Sequence, residues 1–408
     1  MGADSQPKDP RHVPAPPNIL WILTTQWRAQ ACGYAGDPSA RTPRLDSFAA
    51  RAVNYTQAVT PHPFGPFARA AVLTGVPSPE NGVRDYFDPL PAEARTIAHE
   101  LGDRSYATAF FGKWHLYKRD AASQLTGEAH ARIVVPPDFR GGFGFWEGFE
   151  SGFLLNNPWL HGTRLSAPVQ FEGYQSEVVC GRALEHLRSL GGPWFAVVSL
   201  EAPHPPYGAP ASGIVPRDPA GLVLRGNVPA EAESRARREL AGYYAHIEAT
   251  DRAIGRLLDG LPTSTRIAVT SAHGDMHGSH GLFRKGWPHE ESIRVPLLVQ
   301  CPGGPRRDDS PFSIVRLPEM SRAWADGSDS PLPAHGGSLI SMPSVVALPD
   351  QCDRRWSGLR TPSRKVIVNS DGSPWLFYDL EADPLETRNL ADGPERSEDI
   401  LRMIRRVR

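Results

Sequence analysis

Four short polar segments of this 408-residue sequence carry side chains that could bind an anion and move protons. Each segment begins within three residues of the end of an apolar run of strand length, and the four are Thr24-Thr25-Gln26, Lys113-Trp114-His115, Pro203-His204-Pro205 and Ala272-His273-Gly274-Asp275. Histidine exchanges protons near neutral pH, and lysine supplies a positive charge with three donors. We therefore expect the lysine and the three histidines to be catalytic, and Thr25 and Gln26 to contact the substrate.

A fifth segment, Gly65-Pro66-Phe67-Ala68-Arg69, has the shape of a loop that presents a nucleophile at the start of a helix. None of its five residues is Ser, Thr or Cys. Arg69 falls one turn inside the helix, where free backbone N–H groups and a guanidinium can together bind an anion. We expect Gly65 and Arg69 to contact the substrate. The alternative for Arg69 is an ion pair with a structural carboxylate.

Each of these polar side chains also has a purely structural interpretation. A single histidine in a loop usually satisfies hydrogen bonds of the fold, whereas three that reach one crevice from separate strands favour a function. His273 is either a neutral general base or a hydrogen-bonded residue without a catalytic role. Gln26 either contacts a ligand or satisfies buried backbone groups.

Alternating strands and helices must position these segments. Short apolar runs predict buried strands, and apolar residues at helical spacing predict helices between them. The alternation predicts an α/β fold with a doubly wound sheet, whose ligand site lies at the carboxyl ends of the strands. The predicted strands are 18–23, 107–112, 194–200 and 266–271, and the predicted helices are 42–52, 69–75, 96–102 and 241–261.

The chain divides into three parts by composition. Residues 1–16 are polar and Pro-rich, which predicts a flexible segment. Residues 17–305 carry the alternation, with a lid-like insertion at 118–190 that is rich in Gly and aromatic residues. Residues 306–408 predict a C-terminal subdomain with a small antiparallel sheet and a terminal helix, because 364–391 has the pattern of a hairpin around the turn SDGSP.

The amino-acid composition argues against several classes of binding partner. Lys and Arg total 44 against 45 for Asp and Glu, which argues against a nucleic-acid or membrane-surface binder. The four cysteines are far apart, so neither a zinc site nor a disulfide framework is expected. No apolar segment near the start has the length of a signal peptide or a membrane span. We expect a cytoplasmic protein whose partner is a small anionic molecule. The sequence leaves its oligomeric state open.

The sequence resembles the type I sulfatases of the alkaline-phosphatase superfamily. The resemblance covers most of residues 17–391, apart from 118–190 and 305–360. It implies a sulfatase/alkaline-phosphatase-like α/β fold, a doubly wound mixed sheet with a small C-terminal subdomain. The matching segments are PNILWILTTQWRAQACGY, TPRLDSFAARAVNYTQAVT, RAAVLTG, FFGKWHL, RGGFGFWEGFE, EAPHPPY, SAHGDMHGSHGLFRKGWPHEESIRVPLLV and YDLEADPLETRNLA.

The resemblance also implies which chemistry this sequence has lost. In the family, a cysteine of a C-x-P-x-R element becomes formylglycine, whose hydrate attacks sulfur with the help of a calcium or manganese ion. Here the cysteine position is Gly65 and the proline position is Phe67, and the first aspartate of each metal-binding element falls on Thr25 or Ala272. Because hard cations need several oxygen ligands, mostly carboxylate, we expect the metal site to be lost and no cofactor to be bound.

The residues on the leaving-group side of the family site are retained. Lys113 and His115 match its GKWH element, and His204 matches its A-P-H-x-P element. Lys285 matches a lysine that clamps ester oxygens, and we expect it to be catalytic; the alternative is a solvated surface lysine. Further along the loop of His273, the resemblance implies a structural role for Asp275, and the loop also carries His277 and His280.

Three functions are compatible with this pattern. The one we favour is a repurposed, metal-independent enzyme that acts on a small metabolite bearing a sulfate, sulfamate or phosphate group. Its lysines and histidines would carry out elimination, cyclisation or transfer by acid–base chemistry. The second is a non-catalytic, anion-binding pseudo-sulfatase. The third is a sulfuric ester hydrolase with a non-standard nucleophile, for which Thr25 offers the nearest hydroxyl.

Overall fold

A computed structural model describes residues 15–328, 332, 336–393 and 397–407. The strands are β1 Ile19–Thr24, β2 Val53–Val59, β3 Ala107–Lys113, β4 Phe145–Phe149, β5 Trp159–Gly162, β6 Val169–Gln170, β7 Trp194–Ser199, β8 Arg266–Ser271, β9 Leu297–Gln300, β10 Arg306–Ser313, β11 Ser338–Met342, β12 Trp356–Arg360, β13 Arg364–Asn369 and β14 Pro374–Asp379. The helices are α1 Pro43–Ala49, α2 Gly65–Thr74, α3 Ile97–Gly102, α4 Glu128–Ala131, α5 Gln175–Arg188, α6 Ala230–Asp259, α7 Glu290–Ile293, α8 Leu317–Ala325 and α9 Ser397–Ile404.

The large sheet is mixed and has the strand order β10-β2-β9-β8-β1-β7-β3-β4-β5-β6. Its centre is parallel: β8, β1, β7 and β3 all run in one direction. Strand β1 is buried on both faces, as its continuous apolar sequence requires. Ile19 and Trp21 face one hydrophobic core, and Leu20 and Ile22 face the other. The predicted doubly wound mixed sheet is therefore confirmed.

A small antiparallel sheet of the order β11-β12-β13-β14 packs against α9. The small C-terminal subdomain is thereby confirmed, but strand β10, at 306–313, pairs with β2 in the large sheet. Helix α8 likewise packs against α2 and α3. The expected boundary at residue 306 thus precedes two elements of the main body. The sequence of β10 hides this, because it opens with the charged run Arg306-Arg307-Asp308-Asp309 instead of an apolar one.

The segment 118–190, expected as a lid-like insertion, is only partly irregular. Strand β4 pairs in parallel with β3, and α5 packs against β3 and β7. Glu147 in β4 interrupts the apolar pattern, and its buried carboxylate is bound by both Arg164 and Arg182. The rest of the segment contains α4, β5 and β6 with the loops between them, and residues 124–126 and 153 line the cavity described below. Within the described residues, no helix combines the length and the apolar composition needed to cross a bilayer.

Candidate active site

The four parallel central strands carry the predicted segments to one place. Neighbouring parallel strands end at the same edge, so the residues that follow β1, β3, β7 and β8 meet there. The loop of Lys285 joins them through a hydrogen bond of 2.9 Å from Gly286 N to Pro63 O, just before α2. Together they enclose a cavity of about 640 Å³, and the predicted site residues that line it are Thr25, Gly65, Lys113, His115, His204, His273 and Lys285.

Two predicted substrate-binding residues, Arg69 and Gln26, are not among the residues that line this cavity. The guanidinium of Arg69 is buried and donates to Ser199 Oγ and Thr25 Oγ1, both at 2.6 Å. Burial lowers the pKa of Arg69 to about 10. Neither Arg69 partner is a carboxylate, so the described contacts give Arg69 the role of fixing Thr25.

Gln26 lies beneath the cavity in the left-handed backbone region, with φ of 64°. Its amide nitrogen donates to the Asp275 carboxylate and, at 3.3 Å, to the Tyr207 hydroxyl. Its amide oxygen accepts a hydrogen bond of 2.5 Å from Lys285 Nζ. Gln26 therefore connects Lys285 to Asp275.

Lys113 forms a buried ion pair that sequence analysis missed. Its Nζ lies 2.7 Å from Glu201 Oε1, and side-chain exposure is 1% for Lys113 and 0% for Glu201. Burial lowers the pKa of Lys113 to about 8, although the Glu201 charge opposes the shift. Glu201 opens the segment EAPHPPY two residues after the end of β7, so the signal that pointed to His204 was available for it as well.

Lys285 lies without an acidic partner, because no described carboxylate comes within ion-pair distance of it. Its Nζ donates to Gln26 and lies 3.1 Å from His204 Nε2. Burial, and then the charge of Lys113, lower the pKa of Lys285 to about 7. Phe153, which sequence analysis also missed, stacks on His204 at 4.4 Å and lies 4.8 Å from Lys113 Nζ.

The imidazoles of His204 and His273 are oriented by neighbouring backbone carbonyls. His204 Nδ1 lies 2.7 Å from Pro205 O, and His273 Nδ1 lies 3.0 Å from Gly274 O. Because carbonyls only accept, both Nδ1 atoms carry the proton. His204 Nε2 is then an acceptor for Lys285, and the Nε2 lone pair of His273 is buried with no partner among the described residues. Burial and nearby lysines hold the pKa of both rings well below the usual range.

His115 occupies the space in front of Gly65. A Cβ added to Gly65 would lie 2.8 Å from His115 Nδ1. That nitrogen is buried and has no hydrogen-bond partner in the described part of the chain, and Nε2 lies 3.5 Å from the Tyr86 hydroxyl. Burial, and then Lys113, hold the pKa of His115 well below its usual range. The ring is therefore neutral and offers a lone pair.

The other residues of the His273 loop lie away from the cavity lining. The carboxylate of Asp275 accepts hydrogen bonds from Gln26, from the Tyr207 hydroxyl and, at 3.1 Å, from His277 N. The ring of His277 packs 4.2 Å from that of Tyr243. His280 lies with Glu291 and Glu386 in a separate group that is spaced for a metal ion. These contacts give Asp275 a structural role in orienting Gln26.

The residues at the expected metal positions do not fit a hard divalent cation. Thr25 Oγ1 accepts a hydrogen bond from Arg69 and donates to Leu200 O at 2.8 Å. The only oxygen of the Gln26 side chain already accepts from the Lys285 ammonium, whose charge repels a cation. Position 272 is a buried alanine. Calcium and manganese need several oxygen ligands, mostly carboxylate, and none of these positions supplies one.

Comparison with known proteins identifies the family of this chain. A model of the sulfatase family matches residues 17–325. The chain belongs to the sulfatase family. It is 33% identical over 417 residues to the ulvan-active sulfatase of Formosa agariphila, covering 94% of this chain and 78% of that protein. It is 28% identical over 433 residues to the choline-sulfatase of Rhizobium meliloti, covering 93% and 83%.

Solved structures of the same fold agree with the family assignment. The protein named yidJ from Bacteroides fragilis has a TM-score of 0.83 at 23% identity, covering 100% of this chain and 96% of that one. The phosphonate monoester hydrolase of Agrobacterium radiobacter has a TM-score of 0.72 at 18% identity, covering 96% and 94%. At these identities the likeness establishes the fold alone, and it confirms the expected alkaline-phosphatase-like architecture.

Proposed function

We propose that this sulfatase-family protein transforms a small anionic metabolite without a divalent metal, using its buried lysines and histidines for proton transfer. The metabolite carries a sulfate, sulfamate or phosphate group. The contact that supports this function best is the hydrogen bond of 2.5 Å from Lys285 Nζ to Gln26 Oε1. An ammonium group there brings positive charge to the positions where the family resemblance would put a metal ion.

The cavity suits an anion that carries a small organic group. Lys113 and Lys285 both line it, and in the described part of the chain only Lys113 of the two forms an ion pair, with the buried carboxylate of Glu201. Aromatic side chains from Phe64, Tyr86 and Phe153 form other parts of the lining. Two relatives are named an ulvan-active sulfatase and a choline-sulfatase, which supports a sulfated ligand.

The proposed chemistry is elimination, cyclisation or transfer with the anionic group as leaving or transferred group. Lys285 and His204 share a contact of 3.1 Å, through which a proton can pass between ammonium and imidazole. Positioning and general acid–base catalysis each supply factors of roughly a hundred to ten thousand, which is sufficient for an activated substrate.

The test is turnover in the absence of metal. The protein, purified and analysed for metals, is incubated with a panel of sulfate, sulfamate and phosphate esters, with and without a chelator, and products are followed by mass spectrometry. We expect turnover that resists the chelator, falls in Lys285→Met and His204→Ala, and persists in Lys118→Met, an exposed control. Turnover that appears only with added calcium or manganese would overturn the proposal.

A non-catalytic anion-binding protein is the second candidate. It is supported by the engagement of Thr25, whose hydroxyl is committed to Arg69 and Leu200 and so is a poor nucleophile. In the same panel this candidate predicts that an ester raises the melting temperature while no product forms with any member.

A further inference from the structure

The ring nitrogen Nδ1 of His115, a residue that lines the candidate cavity, is buried and has no hydrogen-bond partner among the described residues. His115 lines the cavity and is only 3% exposed. Burying a polar atom without a hydrogen bond costs about 1–3 kcal/mol, so such atoms in folded proteins call for an explanation. A ligand atom that binds to this lone pair would explain why the nitrogen is buried without a partner.

The fold holds His115 in this place against a conformational cost. Its backbone is left-handed, with φ of 60°, and its N–H donates to Glu150 O at 2.8 Å. Tyr86 packs edge-on against the ring at 5.7 Å, and Phe153 does so at 6.1 Å. A non-glycine residue in this region costs of order 1 kcal/mol and persists where the surroundings enforce it, often at functional sites.

Two groups suited to anion binding line the same cavity as His115. Gly65, whose added Cβ would lie 2.8 Å from Nδ1, is the first residue of the ten-residue helix α2. Backbone N–H groups of a first helical turn have no partner within the helix and favour oxyanions. Lys113, two residues before His115, also lines the cavity. An anion bound to these groups lies in the cavity that Gly65, Lys113 and His115 line together.

We propose that His115 Nδ1 is the nucleophile of this site and carries the transferred sulfuryl or phosphoryl group as a covalent intermediate. The proposal rests on the proposed function and specifies its transfer branch. With the ring proton on Nε2, towards the Tyr86 hydroxyl, the Nδ1 lone pair is free to attack. Thr25, the alternative nucleophile, has its hydroxyl committed to two other groups.

The step balances with groups that line the cavity. The Nδ1 lone pair forms a bond to sulfur or phosphorus, and the bond from that atom to the ester oxygen breaks with its electron pair. The leaving oxygen takes a proton from the Lys285 ammonium, which His204 contacts. Water, or an acceptor hydroxyl, then attacks the same atom and gives its proton to the Lys285 amine. The bond from Nδ1 to sulfur or phosphorus then breaks, and its electron pair returns to Nδ1.

The direct test is detection of the adduct. Wild-type protein is mixed with para-nitrophenyl phosphate or para-nitrophenyl sulfate, quenched in alkali, digested and analysed by mass spectrometry. We expect one of the two esters to add a single phosphoryl or sulfuryl group to the peptide that contains His115, and this identifies the group. His186→Asn, which changes a ring stacked on Phe145 outside the cavity, keeps the adduct.

Three variants separate a nucleophile from a positioning residue. His115→Asn tolerates the left-handed backbone and is expected to lose the adduct and turnover by about a thousand-fold or more. Gly65→Ala keeps the ring but places a Cβ against Nδ1, and a loss of roughly ten-fold or more is expected. His115→Gly with added imidazole is expected to release N-phosphorylated or N-sulfonated imidazole into solution, which a general base would not produce.

The outcomes distinguish this inference from the proposed function. Metal-independent turnover that stays near wild type in His115→Asn would overturn the inference and leave the proposed function standing. Turnover of His115→Gly that imidazole restores without any imidazole adduct would do the same. No turnover and no binding of either ester by the wild-type protein would overturn both.

Discussion

Replacement of Lys285 by methionine is expected to stabilise the protein while it removes ligand binding. Methionine fills a similar volume and carries no charge. Burial and the charge of Lys113 lower the pKa of Lys285 from 10.5 to about 7. The fold therefore disfavours the ammonium form, and the unfolded chain does not.

The magnitude follows from that shift. Each pKa unit corresponds to about 1.4 kcal/mol, so the charged ammonium costs the fold about 5 kcal/mol, and the cost at about pH 8 is about 3 kcal/mol. Methionine cannot donate a hydrogen bond to Gln26 Oε1, and this loss cancels about 1 kcal/mol of the stability gained by removing the ammonium. We expect the free energy of unfolding of Lys285→Met to exceed that of wild type by about 2 kcal/mol at this pH.

The pH dependence has a definite sign. Between the folded pKa of about 7 and the unfolded value of 10.5, the unfolded chain binds more protons, so wild-type stability rises with pH relative to the variant. The advantage of Lys285→Met is therefore constant below about pH 7 and disappears towards pH 10.5. Urea unfolding monitored by tryptophan fluorescence across this range measures it.

A matched control is Lys118→Met, which removes an exposed lysine and is expected to change stability by less than about 0.5 kcal/mol at every pH. The reasoning fails if Lys285→Met is less stable than wild type near neutral pH. It also fails if the difference between the two proteins does not shrink as pH rises.

Three further predictions concern charge and the vacated nucleophile position. Inorganic sulfate is expected to bind best when Lys113 and Lys285, with pKa values of about 8 and about 7, are in their ammonium forms. Its affinity, measured by calorimetry, therefore rises as pH falls through this range, and an affinity independent of pH contradicts this. Glu201→Gln leaves the Lys113 ammonium buried without its partner, and urea unfolding below about pH 7 is expected to show a loss of about 3 kcal/mol; unchanged stability argues against the ion pair. Gly65→Cys with Phe67→Pro restores the C-x-P-x-R pattern but neither metal carboxylate, so no calcium-dependent hydrolysis of para-nitrophenyl sulfate is expected, and its appearance would refute the loss of the metal site.

The sequence predicted those parts of the fold in which burial dictates the pattern. The apolar runs 18–23, 194–200 and 266–271 correspond to β1, β7 and β8 within one residue at each end. Helix α6 begins at Ala230, eleven residues before the predicted start at 241. Its first eleven residues are mainly charged and bury only Ala232, Ala236 and Leu240, so their apolar periodicity is weak. Strand β10 was missed for a similar reason, since charged residues occupy its edge position.

The sequence predicted which residues come together in the candidate site wherever their place next to a strand end determines this. Lys113 ends β3 and His204 lies in the loop after β7, and the ends of neighbouring parallel strands meet at one edge of the sheet. Lys285 came only from the family resemblance, because no strand precedes it directly. The partners of Arg69 and the ion pair of Glu201 depend on where side chains point after folding, which spacing along the chain does not determine.

Electrostatics links the expected loss of the divalent cation to the expected loss of its two aspartate ligands. By the family resemblance, positions 25 and 272 hold aspartates beside a divalent cation, and those charges cancel. Removal of the cation alone would leave two buried carboxylates uncompensated, at a cost of several kcal/mol each. If Thr25 and Ala272 replace both aspartates and the cation is lost with them, the net charge of the site does not change. The buried Lys113–Glu201 pair then experiences no added net charge. In the proposed function, Lys285, which donates to Gln26, supplies the positive charge at this place.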